Sequence, residues 1–326
     1  MADLRRKRPR GLGIIAQGRE ARSRGEARWT AQAGLVAGGA ILAGLIAHKF
    51  VSEHELNKDR QALLSKQRAV VATLGAEWLP LRDNLEHDVL DAADGADGKG
   101  AYAGDHVEPA ARTSDFRSQP GLYLRMRLAD ATSPQAIRTV AVDAKRDAFA
   151  GCLLRETNER GARGEVDGGA FAEQPWNLGQ AYAATRMLTD EWAGEVRDAD
   201  DDLRLRVFVQ QYDKAIRDEI PIAIDVVKRA QFFLLVLDED VPEAAAFADG
   251  GPMTEEALQL VPHPARVFVF ELKDNKPLVR LRRSGGGRFI QAGERAISDD
   301  ETKDAMQRQA NNCALANLVD ATLRTP

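Results

Sequence analysis

Residues Phe232–Asp240 read FFLLVLDED, six consecutive apolar residues that run into three carboxylates. A run this short, apolar at every position and free of glycine and proline, is the pattern of a strand buried on both faces. Upstream, Pro221 suits the first turn of a helix that continues to Ala230. Downstream, after a Pro- and Ala-rich connection, 266–272 and 278–282 flank Lys273-Asp274-Asn275-Lys276, which predicts a β-hairpin. Ser298-Asp299-Asp300-Glu301 forms a capping box that opens a terminal helix to about Leu323.

Further upstream, Leu122, Leu124, Met126 and Leu128 alternate with Tyr123, Arg125 and Arg127, predicting a strand with one buried face. The segments 137–142 and 149–154 read as two more strands, and 161–169 as a loop. Asn177 caps a predicted helix to about Val196, and a second helix spans 203–218. Within it LRLRVFV alternates as a strand would, so local pattern and helical context compete there. The order of elements predicts an α+β domain over residues 121–326, with a mixed, largely antiparallel sheet and packed helices. Residues 91–120, rich in Gly, Ala and Asp, read as a linker. Residues 52–90 read as a helical stalk: Leu56, Leu63 and Val70 recur every seven positions, and Leu74 and Leu81 hold the second core position. Arg60 and Gln67 interrupt that second position, which argues against a long dimeric rod.

The N-terminal fifty residues have a different character. Ala31–Ala47, AQAGLVAGGAILAGLIA, contains 17 residues with no charge and one polar side chain, Gln32. Trp29 stands at one end and His48-Lys49-Phe50 at the other, as interfacial anchors do. Residues 29–51 are therefore read as a single transmembrane helix spanning the hydrocarbon layer, about 30 Å thick. The net charge of −5 divides into +6 over residues 1–28 and −11 over the rest. That excess of Arg and Lys before the span predicts a cytoplasmic tail and an extracytoplasmic body, anchored in the plasma (inner) membrane. The basic stretch is too long, and a small-x-small cleavage site too poor, for a cleaved signal peptide. An acidic body argues against nucleic acid as its partner. Gly34 and Gly38, with Gly39 and Ala43, repeat a small-xxx-small spacing that favours packing with a second copy or another envelope protein. Two cysteines, Cys152 and Cys313, suit an oxidising compartment where they can pair.

Chemistry is sparse. Asp238, Glu239 and Asp240 sit where a strand ends, a place from which carboxylates can hold a divalent metal, but no GxxxxGK[ST] phosphate loop accompanies them. Gly95-Ala-Asp-Gly98-Lys99-Gly100 lacks the first glycine and the hydroxyl of such a loop. Asp198, Asp200 and Asp202 have the alternate spacing of a calcium loop without its central glycine or its terminal glutamate. The glycines of 285–287, followed by Arg288, read as a flexible loop and not an anion cradle, since no helix clearly follows them. The five histidines are scattered, and HExxH, CxxC and GxSxG are all missing, so no cofactor is expected. The reading is a membrane-anchored extracytoplasmic binding protein. A metal-dependent hydrolase using the two acidic runs is the alternative.

Overall fold

The computed structural model describes residues 53–95, 100–154, 175–248, 251–288 and 299–325. The basic tail, the stretch 29–51 with Gly34, Gly38, Gly39 and Ala43, and the loop 161–169 lie outside the described residues. Among the described residues, no helix is long and apolar enough to cross a membrane.

The fold is a mixed six-stranded sheet with helices on both faces. Its strands are β1 (His106–Val107), β2 (Gly121–Arg127), β3 (Trp176–Asn177), β4 (Phe232–Asp238), β5 (His263–Glu271) and β6 (Lys276–Gly285), in the spatial order β1-β6-β5-β4-β2-β3. Pairings from β1 to β4 are antiparallel, whereas β4–β2 and β2–β3 are parallel. The antiparallel share consists of the expected hairpin, which turns through Asn275 at a φ of 50°, and the β4–β5 and β1–β6 pairs on either side of it. The parallel share comes from the long helical crossover between β2 and β4, as a parallel pair demands.

The long N-terminal helix comprises α1 (residues 53–70), a π turn at Val71–Gly75 and α2 (Ala76–Asp94). It lies on the domain, with Leu63, Leu64, Trp78, Leu85 and Val89 in the core. Gln67 and Arg60, which break the heptad, are the residues that dock it. Gln67 donates to the Met187 carbonyl at 3.2 Å and Arg60 to the Ala199 carbonyl. The 91–120 stretch also joins the fold: β1 pairs with β6, and Ala111 of α3 (Pro109–Thr113) and Phe116 are buried.

Two predicted strands are helices, α4 (Pro134–Ala141) and α5 (Ala148–Leu153). Ser133 accepts from the Ala136 amide and Asp147 from the Phe149 amide, so these caps outweigh the β-branched and aromatic content of the helices they open. The helix predicted from Asn177 to Val196 divides into α6 (Leu178–Thr185) and α7 (Asp190–Arg197), because Thr189 is extended and caps the second piece. α8 (Asp202–Lys214) runs through a π turn at Ala215–Glu219 into α9 (Ile220–Arg229), so Pro221 does not start a separate helix. After α10 (Glu255–Gln259) comes α11 (Asp300–Arg324), capped by Asp299, whose side chain accepts from the Thr302 amide.

One face of the sheet carries Leu124, Phe233, Leu235 and Phe270 against α2, α4, α6 and α9. The other carries Tyr123, Leu234, Val236 and Val267 against α5 and α11. On that second side Cys152 of α5 and Cys313 of α11 form a disulfide, with Cα atoms 5.2 Å apart. β2 is therefore buried on both faces, against the one-faced expectation, and Arg125 at its centre is 1% exposed.

Candidate functional site

The three carboxylates at the end of β4 diverge, each to different arginines. Asp238 points into the second core, where Arg125 grips it side-on at 2.7 and 2.9 Å. Glu239 receives Arg266 at 2.8 Å and Arg282 at 2.5 and 3.0 Å. Asp240 receives Arg127 at 2.6 and 3.0 Å. On the other acidic run, Asp198 and Asp200 are exposed in the α7–α8 turn, and Asp202, exposed at the first position of α8, pairs with Arg206. The two runs do not come together, and among the described residues no three His, Cys, Asp or Glu side chains form a group able to hold a metal. The arginines already supply these carboxylates with the positive charge a metal would bring.

Around Asp238 the structure assembles residues that sequence reasoning missed. Arg125 also donates to Asp147 at 2.6 Å and to Asn312 of α11 at 2.8 Å. Asp147 in turn accepts from the Tyr123 hydroxyl at 2.8 Å. His263, at the start of β5, faces Asp238 through Nε2 and the Val261 carbonyl through Nδ1, both at 2.9 Å. Both neighbours are acceptors, so the ring must donate from both nitrogens and is an imidazolium. Burial pushes His263 down, but the hydrogen bond and charge of Asp238 outweigh it and hold it above its ordinary value. Burial likewise raises Asp238, yet the Arg125 charge and the His263 hydrogen bond bring it to about 2. The node is self-neutralising, with Arg125 and His263 against Asp238 and Asp147.

The node opens to solvent through a cleft of about 310 Å³ lined by Asp147, Glu255, Gln259, Arg308 and Asn312. Glu255 accepts from Gln259 at 2.8 Å, and burial with the nearby Asp238 charge pushes it up to about 8. It is a proton-bearing carboxyl at neutral pH, able to donate one hydrogen bond into the cleft.

A larger cleft, about 490 Å³, lies on the opposite face between α2, α4, α6 and α7. Arg82, Arg138 and Arg186 line it together with Asp143, Glu191 and Glu195, so three guanidiniums meet three carboxylates. Trp78 and Tyr182, packed edge-to-face at 6.0 Å, form its apolar back wall. Beneath them the buried Glu86 is held by Arg138 through two bonds of 2.8 Å. Its size falls in the range of small-ligand sites. No protein-family model, curated protein or solved structure matches the chain. The reading of function therefore rests on geometry and sequence alone.

Arg125 was legible only as an outward-facing member of an alternating strand. What places it inside is the layer of α5 and α11 over the second face of the sheet, which no local pattern encodes. His263, Asp147 and Asn312 reach the node from three separate elements.

Proposed function

We propose that this chain is a single-pass protein of the plasma (inner) membrane, with residues 29–51 in the bilayer, residues 1–28 cytoplasmic and the folded domain outside. There the domain binds a ligand or an envelope partner and does not catalyse a reaction. The observation that carries the reading is the Cys152–Cys313 disulfide in a domain that follows a charge-free 17-residue stretch, since disulfides persist in oxidising compartments. The engagement of every β4 carboxylate by arginine supports binding over metal-dependent hydrolysis. The Trp78–Arg138 cleft is the seat of the ligand. Its balanced charges would repel part of any strongly ionic molecule, while its interleaved donors and acceptors suit hydroxyl groups, which do both. A neutral, polyhydroxylated ligand is the class it fits.

Fusing alkaline phosphatase or a green fluorescent reporter after Pro326 tests the topology. An active phosphatase and a dark fluorescent fusion are expected; the reverse pair overturns the reading. Titrating a panel of neutral oligosaccharides against the detergent-solubilised full chain tests the cleft. Saturable binding weakened about tenfold by Gln135→Ala at its mouth is expected, a loss of roughly 1.4 kcal/mol.

A further inference from the structure

Along the floor of the 310 Å³ cleft the hydrogen bonds run one way. Arg125 donates to Asn312 Oδ1 at 2.8 Å, Asn312 Nδ2 to Gln259 Oε1 at 3.0 Å, and Gln259 Nε2 to Glu255 Oε1 at 2.8 Å. A guanidinium cannot accept, so Arg125 fixes the orientation of both amides and with it the direction of the chain. Asp147 is filled as well: Oδ1 accepts from the Tyr123 hydroxyl and the Phe149 amide, and Oδ2 from Arg125.

The side-chain oxygens of the floor are thus occupied, while donors are left over. Asn312 and Gln259, 2% and 6% exposed, each use one of their two amide N–H groups among the described residues. Glu255 holds a proton at neutral pH. Its Oε1 already accepts from Gln259, so that proton sits on Oε2, which has no partner among the described residues. At the mouth, Lys145, Arg146 and Arg308 stand against Asp143 and Glu256, a surplus of one positive charge. Lys145 lies 3.9 Å from Glu256, and Arg308 makes no ion pair among the described residues. Behind them Arg125 and His263 balance Asp238 and Asp147.

We infer that this cleft is a second binding site, separate from the Trp78–Arg138 cleft, and that it takes the carboxylate of a small hydroxy acid. The carboxylate accepts from Glu255 and from the spare amide N–H groups, and Arg308 meets its charge. A monoanion matches the single surplus charge, whereas a phosphate dianion would leave negative charge beside Asp147 and Asp238. An ammonium group would find the floor oxygens engaged and a proton facing it. The site does not depend on the anchored topology proposed above.

Saturation-transfer NMR on the full chain, solubilised in detergent with its disulfide intact, tests the site with lactate, using lactamide and ethanolamine as neutral and cationic controls. Saturable lactate binding at pH 7, absent for both controls, is expected. Arg308→Ala should weaken it about tenfold. Raising the pH from 7 to 9 strips the proton from Glu255, whose value lies at about 8. Lactate affinity should then fall about tenfold, since only the protonated form donates. Glu255→Gln keeps an N–H facing the cleft at every pH, so the variant should bind lactate at pH 7 and lose little at pH 9. No saturable lactate binding, binding of ethanolamine in its place, or lactate binding untouched by Arg308→Ala would each overturn the site. A loss at pH 9 that persists in Glu255→Gln would overturn it too, because the Glu255 proton would then play no part in the grip.

Discussion

Asp238 and Asp88 are both buried carboxylates, 0% and 3% exposed, yet their surroundings send them in opposite directions. Asp238 lies in the node under α11, where Arg125 and His263 occupy its oxygens, and it titrates at about 2. Asp88 lies on α2 against the β5–β6 turn; Asn275 bonds one oxygen, while Oδ2 has no hydrogen-bond partner. Burial pushes Asp88 up to about 6. Burial sets the cost of the charge at both sites, and the partners decide whether the charge survives. The node is built to keep ions inside the protein. The helix seat tolerates one at a cost.

Removing the cation from the node should have the largest effect. Arg125→Met leaves Asp238 and Asp147 buried without their guanidinium and is expected to cost about 3–5 kcal/mol in urea unfolding. A cost below about 1 kcal/mol would mean that the node relaxes or admits water. Opening the disulfide comes next. The pair closes 161 residues between α5 and α11, and Cys152→Ser with Cys313→Ser should lower stability by about 2–5 kcal/mol.

Asp88→Asn should act in the opposite sense. The folded-state value of Asp88 lies above its ordinary 3.8, so its cost is absent below both values and is fully present once pH has risen past about 6. The variant should therefore gain about 1 kcal/mol over the parent at pH 8, allowing for solvent screening, and nothing at pH 3. A gain that is equal at both pH values would show that the orphaned oxygen is not the cause. The smallest effect is expected from Arg186→Ala, which breaks a half-exposed pair with Glu195 and should change stability by less than about 0.5 kcal/mol.

The same contrast explains which features were legible in the chain. β4, the β5–β6 hairpin, the capped terminal helix and the cysteine pair are encoded locally, by an apolar run, a turn signal, a cap and an even count. α4 and α5 read as strands because Ile137, Val140 and Phe149 favour strands, while the Ser133 and Asp147 caps that make them helices sit just outside each run. The docking role of Gln67 and Arg60 was visible as an interruption in a heptad, but its meaning needed Met187 and Ala199, more than a hundred residues away. Of the node, only Asp238 stood out. Arg125, Asp147, His263 and Asn312 come together through the parallel crossover and the disulfide-bearing helix, and long-range pairing of that kind leaves no periodic trace in the chain.

The central claim, a disulfide-closed domain outside the membrane, is tested most directly by maleimide labelling of Cys152 and Cys313 in intact cells and in lysates, with and without reductant. Neither thiol should react until reductant is added, and after mild reduction a membrane-impermeant maleimide should label both in intact cells. Free thiols that react only after lysis, without any reductant, would contradict the claim.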